Sequence, residues 1–404
     1  MKKTVCDDFE KQNCCGCGAC INICPVGALS YGKDDMGFTI PCIDEKKCIH
    51  CGACSSICPI LNKEDQSIFH SPLEAWALRN KNDDDQFHSA SGGVFIALAK
   101  EMIRQGGVVA GCIMDENFKV RHVIVDNLED IPAMQKSKYL QSDMGQIYRE
   151  VKRNLLKRIP VLFSGTPCEV AALKRFLKRI DTKNLYLVDL VCHGVPSQTF
   201  FDDYLVSMQK KNGNLIQYTF RAKHDAHENM NYFISMEFKG SSKRICYWAE
   251  DSYNYFFQMG ANYRESCYTC PFAQTKRTSD ITICDYWGWS QYHKGDFPLE
   301  VYVSGTLTNT EKGKLMIEKI RENFHIVATG INDIVSNNGC LRRPTPRPAN
   351  RDKILSIWRD KGYDELENRF QQKYKWIIRK HWLMRLLPDS LIYRVHTWRK
   401  RNGH

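Results

Sequence analysis

Residues 161–168 read Val-Leu-Phe-Ser-Gly-Thr-Pro-Cys, and residues 185–192 read Leu-Tyr-Leu-Val-Asp-Leu-Val-Cys. Each opens as a short apolar run suited to a buried strand, Val161–Ser164 and Leu185–Val191, then breaks into a loop that leads to a helix. The helices are expected over Glu169–Arg179 and near Gln198–Lys210. Apolar strands this short, separated by helices, imply a largely parallel sheet covered on both faces. Outward from this pair, strands are expected over Leu73–Leu78, Val108–Ile113 and Val120–Val125, and helices over Gly92–Gln105 and Gln146–Lys157. Residues 215–250 alternate and are rich in aromatics, which suggests antiparallel additions. The fold class is α/β, a largely parallel mixed sheet with helices.

Ahead of this body stands a doubled cysteine motif. Cys14, Cys17, Cys20 and Cys24 form C-x2-C-x2-C-x3-C followed by Pro25, and the pattern returns at Cys48, Cys51, Cys54, Cys58 and Pro59. Two-residue spacers with glycine let a short loop wrap three corners of a cubane, while the fourth cysteine reaches the other one. Cluster one is therefore assigned to Cys14, Cys17, Cys20 and Cys58, and cluster two to Cys48, Cys51, Cys54 and Cys24. Zinc also uses C-x2-C pairs, but it seldom takes three successive two-residue spacings ending in Cys-Pro, and almost never twice. Residues 10–62 thus resemble a bacterial two-cluster ferredoxin module, a small α+β unit. Cys15 and Cys42 are out of register and read as packing residues.

Nineteen cysteines in a chain of 404 residues would mean disulfides in a secreted protein. The start, Met-Lys-Lys-Thr-Val-Cys, lacks the apolar run of a signal peptide, and no stretch is apolar for long enough to cross a bilayer. The expectation is a cytoplasmic chain whose thiols ligate metal. The formal charge is +11, but nine Lys/Arg against one Asp from Gln371 to His404 place +8 of it in the tail. Nucleic-acid binding is therefore not expected.

Cys168 and Cys192 each fall just beyond a buried strand, on the edge where open α/β sheets bind ligands. Cys267-Tyr-Thr-Cys270-Pro supplies two more thiols. On spacing alone, these four suit a third cluster, a zinc ion, or in part plain packing. Ser89-Ala-Ser-Gly-Gly93 opens a helix whose free N–H groups suit a phosphate, although Ser and Gly also cap helices for stability alone. Lys138-Tyr-Leu-Gln-Ser142 has no evident role by itself.

Taken together, the segments resemble the coenzyme F-420 hydrogenase/dehydrogenase beta-subunit family. The carrying motifs are Ser91-Gly-Gly93, Ser137-Lys-Tyr-Leu-Gln-Ser142, Ser164-Gly-Thr-Pro-Cys-Glu169, Cys192-His-Gly-Val-Pro-Ser197, Cys267-x2-Cys270 and Ser279-Asp-Ile-Thr-Ile-Cys-Asp-Tyr-Trp-Gly288. The resemblance spans roughly residues 10–350 and implies 4Fe-4S clusters and FAD. It makes Ser91, Gly92, Gly93, Lys138, Tyr139, Gln141, Ser142 and Thr166 candidate FAD contacts. It makes Cys168, Cys192, Cys267 and Cys270 candidate ligands of a third cluster. Cys284 departs from the pattern, since relatives place glycine before Asp285, and this leaves the roles of Asp280 and Asp285 open.

The implied organisation is a two-cluster domain over 1–65, a flavin-binding domain over 72–350 and a basic amphipathic helical tail over 351–404. The implied function is an oxidoreductase passing electrons between a ferredoxin-type donor, the clusters and FAD, with two-electron transfer to or from F-420 or another small acceptor. The alternative is a relay subunit of a larger redox complex. No catalytic residue is assigned; His193 is the positional candidate for a proton donor. The tail, with Trp376, Trp382 and Trp398 among its cations, suits an anionic membrane surface or an acidic redox partner, and otherwise packs as a terminal helix.

Overall fold

The computed structural model describes residues 2–8, 10–223, 233–240, 243–298 and 302–384. Its N-terminal part is built on a hairpin, β1 (Leu29–Lys33) against β2 (Thr39–Ile43), beside two short helices, Ala19–Ile23 and Ala53–Ile57. The body contains β3 (Glu74–Asn80), β4 (Val108–Met114), β5 (Val120–Val125), β6 (Val161–Gly165) and β7 (Leu185–Leu190). Next come β8 (Leu215–Ala222), β9 (Phe233–Phe238) and β10 (Arg244–Tyr247), then β11 (Ile281–Asp285), β12 (Ser304–Thr308) and β13 (Phe324–Thr329).

Eight strands form one sheet in the order β13-β3-β12-β11-β7-β6-β4-β5. The two strands that opened the sequence reading, β6 and β7, are parallel neighbours, and with β4 and β11 they make a parallel centre. The flanks, β5 on one side and β12, β3 and β13 on the other, are antiparallel. The antiparallel additions expected over 215–250 are a separate meander, β8-β9-β10.

Helix Val94–Arg104 turns Ile96, Leu98 and Met102 onto Val109 and Leu162 of the large sheet. Helices Ile147–Leu156 and Pro167–Phe176 cover the other face through Tyr148, Val151, Val170 and Leu173. The capping box of Thr166 and Glu169 starts helix Pro167–Phe176 immediately after β6, satisfying two amide donors that would otherwise be orphaned. This fixes Cys168 in the first turn.

Residues 351–384 run as a helix broken at Gly362, where φ is 79°. Its first part is core: Trp358, Tyr363, Leu366 and Phe370 pack against Phe200, Tyr204 and Tyr253. Tyr374 continues that contact against Tyr255 and Phe370. The cations from Arg385 onward and Trp398 lie outside the described residues, as does the side chain of Trp382.

Candidate functional site

The doubled motif folds as a doubled backbone. Gly18 and Gly52 sit at φ 71° and 74° before the two short helices, and Cys24 and Cys58 end those helices at ψ 116° and 119°. Gly16 and His50, also 34 residues apart, are both left-handed, at φ 70° and 48°. Such turns aim amides at sulfur: the N–H groups of Gly16, His50 and Ala28 donate to Cys14, Cys48 and Cys24 at 3.3, 3.4 and 3.2 Å.

Cys14, Cys17, Cys20 and Cys58 line one cavity and all are buried. The crossed set proposed for cluster one is therefore brought together. The set proposed for cluster two, Cys48, Cys51, Cys54 and Cys24, lies farther out: Cys51 is exposed and Cys48 half-buried. Cys48 also approaches Glu45 and His50, the group among the described residues whose ligand atoms lie within 4.8 Å of one another. Every cysteine in the motif is a free thiol. Burial pushes the Cys58 thiol up to about 11 and Cys20 well above its ordinary range. Thiols held neutral in an apolar cavity suit a group whose positive metal ions make them thiolates. The residues fit iron–sulfur clusters on that ground.

Because β12 runs antiparallel to β11, and β3 to β12, one rim collects the ends of β3, β4, β6, β7 and β11 and the start of β12. Cys168 and Cys192 follow β6 and β7 there. A second cavity gathers Cys168, Cys192, Cys267 and Cys270 with Thr166, Gln141 and His193. All four expected thiols thus meet, and burial pushes Cys267 up to about 11. The loop carrying Cys270 is held by Arg277, whose guanidinium donates to the carbonyls of Phe272, Gln274 and Leu190 and pairs with Asp189 at 3.1 Å.

Two further cysteines line this cavity, Cys15 and Cys340. Cys15, read as packing from its register, lines the inner cavity with Cys17 and the rim cavity with Cys168, so it stands between the inner repeat and the rim. The signal for it was adjacency to Cys14, which cannot reveal a partner 153 positions away. His193 lines the same cavity as Cys340, and its carbonyl accepts from the Thr345 hydroxyl. Cys284 sits within β11 with its sulfur 3.3 Å from the Gly305 carbonyl and packs in an apolar cluster. Asp280 accepts from the Leu187 amide and the Thr310 hydroxyl, bracing β7 against the loop before helix Glu311–Ile320. Asp285 pairs with Arg221 at 2.6 Å on the rim.

The candidate FAD contacts lie along this rim in two groups. Ser91, Gly92 and Gly93 close onto β3 and β12, where a Cβ at Gly92 would meet the Leu78 carbonyl at 2.1 Å. Lys223, from the end of β8, donates to the carbonyls of Gln86 and Ser91. Tyr139 stacks on Phe257 at 4.1 Å and lies near Arg221 and Asp285. Lys138 donates to the Ala133 and Gln135 carbonyls, and burial holds it down to about 8. The second group is at the cysteine cavity, lined by Gln141 and by Thr166, whose hydroxyl is 3.2 Å from the Cys168 sulfur; Ser142 does not line it and is held by His122 at 2.7 Å. Gly92 thus packs on the protein's own strands, its amide donating to the Ser304 hydroxyl, and the groups suited to a phosphate are the helix start after Gly93 and the cations Arg221 and Lys223 beside the Tyr302 ring.

Residues 13–61 match a 4Fe-4S dicluster domain. Residues 160–334 match the family described as the C-terminal part of the coenzyme F420 hydrogenase/dehydrogenase beta subunit. The beta-subunit match thus spans all four rim cysteines, and the dicluster match all eight of the doubled motif. A curated relative from Methanosarcina mazei, one of the subunits of its F(420)H(2) dehydrogenase, is 24% identical over 203 residues, 48% of this chain. The match spans 56% of that relative's length. A chain in the F420-reducing NiFe hydrogenase complex from Methanosarcina barkeri aligns at 13% identity over 77% of this chain and 95% of its own, with a TM-score of 0.43.

Proposed function

We propose that the protein is an iron–sulfur flavoprotein oxidoreductase, cytoplasmic, in which FAD lies on the rim beside a third cluster. Electrons pass between a ferredoxin-type donor and FAD through the clusters, with two-electron transfer to or from F-420 or another small acceptor. The observation that carries this is the order of the thiols in space. An exposed repeat leads to a buried repeat, then through Cys15 to the rim cavity, and the candidate flavin contacts continue along the same rim.

Clusters move one electron at a time and most organic acceptors take two, a mismatch that a flavin resolves. The chain's own residues supply the rest. Cys14, Cys17, Cys20 and Cys58 hold the inner cluster, Cys48, Cys51, Cys54 and Cys24 the outer, and Cys168, Cys192, Cys267 and Cys270 the third. Thr166 and Gln141 line the cavity of the third site and are flavin contacts there, and Tyr139 presents an aromatic face on the rim.

The test is anaerobic purification with iron, sulfide and flavin counted per chain. The expected result is about twelve irons and one FAD; about eight irons would remove the third cluster, and absent flavin would remove the enzyme reading. The relay alternative is favoured by the Methanosarcina mazei relative, which is named as one component of a dehydrogenase. A stable complex with a second protein and no turnover by the isolated chain would establish it. No helix among the described residues is long and apolar enough to cross a membrane, and the basic tail suits peripheral contact with an anionic membrane face.

A further inference from the structure

Among the described residues five arginines are buried: Arg175, Arg221, Arg264, Arg277 and Arg351. Four of them have a carboxylate partner: Arg175 pairs with Asp65, Arg221 with Asp285, Arg277 with Asp189 and Arg351 with Glu265. Arg264 does not, among the described residues. It is 2% exposed, and its guanidinium donates only to neutral oxygens: the Gln141 amide at 2.5 and 2.9 Å, the Cys14 carbonyl at 3.1 Å and the Thr39 carbonyl at 2.8 Å. Its underside lies 4.9 Å from the centre of the Phe38 ring. The nearby acids are engaged elsewhere. Asp34 accepts from the Met36 and Phe38 amides, and Glu265 pairs with Arg347 and Arg351.

A buried cation without a counter-charge is strongly disfavoured. The site therefore calls for an anion, and the geometry says where it belongs. Arg264 lies against the first loop of the inner repeat, so closely that a Cβ on Gly16 would meet its Nη2 at 2.7 Å. It precedes Cys267 of the rim set by three residues, and its guanidinium donates to the carbonyl of Cys14 in the inner set.

We propose that the anionic cluster held by Cys14, Cys17, Cys20 and Cys58 is the counter-charge of Arg264, and that Arg264 holds the inner reduction potential above the outer one. The inference rests on the cluster reading given above. One electron from the ferredoxin-type donor adds one negative charge at the inner site, with no bond made or broken and no proton taken up. A fixed cation beside that site favours the added charge. Among the described residues the outer repeat has no buried cation beside it: Lys2 lies against Gly52 but is exposed, and Arg149 donates to the Cys24 carbonyl at 3.0 Å but is only half-buried, so water screens both. The inward step is thereby downhill. Arg264 is a positioning residue, acting through the potential of its neighbour.

The test is a redox titration of the anaerobically purified full chain, followed by paramagnetic resonance with iron counted in each variant. The outer midpoint is the one that Cys51→Ala moves, and the rim midpoint the one that Cys192→Ala moves. In Arg264→Met, the inner reduction equilibrium is expected to fall at least tenfold, which is 59 mV for one electron, with the outer midpoint unchanged. Gln141→Glu gives Arg264 a carboxylate without removing it and is expected to lower the inner midpoint in the same sense. Arg264→Lys keeps the charge and the midpoint. Loss of the inner iron in both neutralised variants but not in Arg264→Lys is the same result at its extreme. An inner midpoint unmoved in iron-replete Arg264→Met or Gln141→Glu overturns the proposal, as does equal iron loss in all three variants. A native chain without clusters would instead overturn the reading beneath it.

Discussion

The two halves of the doubled motif are close copies in backbone and opposites in surroundings. Gly18 and Gly52 differ by 3° in φ, and the cysteines that end the following helices differ by 3° in ψ. Yet the first half is enclosed by the body. The Cys14 carbonyl accepts from Arg264 and Ser266, the Cys15 carbonyl from Gln141, and the Gly145 carbonyl takes both Asn22 and Tyr31. The second half faces water, with Ile49 61% exposed and Cys51 open. The loop conformation is encoded by spacing and glycine, whereas position in the electron path is encoded by what the rest of the chain lays over each copy.

Removing one thiol from each copy separates the two positions most widely. Cys17→Ala is expected to cut the route from donor to rim, so that reduction of a soluble acceptor by ferredoxin falls to the level of buffer alone. Cys51→Ala leaves the inner and rim sites connected, so a small reductant able to approach the inner site still drives acceptor reduction. Stopped-flow absorbance under anaerobic conditions measures both. Equal loss of both routes in Cys51→Ala would mean that the outer copy is not merely the port.

Paired glycine substitutions sharpen the contrast. Alanine in the left-handed region costs about 1–2 kcal/mol at either site. At Gly52, the new Cβ meets the side chain of Lys2 at 2.9 Å, near the start of the chain, which can swing aside. At Gly18, it meets the Tyr31 hydroxyl at 2.3 Å, and that hydroxyl is pinned to the Gly145 carbonyl at 3.1 Å. Overpacking of this kind adds about 1–3 kcal/mol. Gly18→Ala should therefore lower the thermal midpoint more than Gly52→Ala, and Tyr31→Phe should rescue part of the loss in Gly18→Ala only.

Oxygen provides a milder probe. Clusters are attacked where solvent reaches them, so brief exposure to air should release iron in two phases, the first of about four irons from the outer copy. Cys51→Ala should abolish that first phase and leave the second unchanged. A single phase in the native protein would mean that the two copies are equally protected.

These contrasts also show what the chain discloses when read in one dimension. The shared cavity of Cys14, Cys17, Cys20 and Cys58 was legible because the first three lie within seven residues and the fourth follows from the repeat. The rim cysteines were legible because strand ends are local features, and parallel strands converge there by topology. The expected sheet needed a finer description, since parallel pairing holds at β4-β6-β7-β11 while the flanks run antiparallel. Cys15, Arg264 and Lys223 were missed because their partners lie more than a hundred positions away, and no spacing encodes such a distance. Residues 351–370 were grouped with a basic tail, although Trp358, Tyr363, Leu366 and Phe370 fall every three to five residues, which is a signal of burial.

The smallest effect tests whether the copies are equivalent in backbone alone. His50 occupies the place of Gly16 with φ at 48°, a conformation that costs a residue with a Cβ about 1–2 kcal/mol. His50→Gly removes that cost but loosens the unfolded chain by about 0.5–1 kcal/mol. The Glu45 contact given up spans 3.8 Å on the surface, and such pairs are worth little. The amide that donates to Cys48 stays in place. The net expectation is a gain of about 0.5 kcal/mol, the difference between those two backbone terms, read as a small rise in the denaturation midpoint with iron content unchanged. The same change also tests the ligand set. If His50 rather than Cys51 completed an outer metal site with Cys48 and Glu45, His50→Gly would lose iron instead of gaining stability.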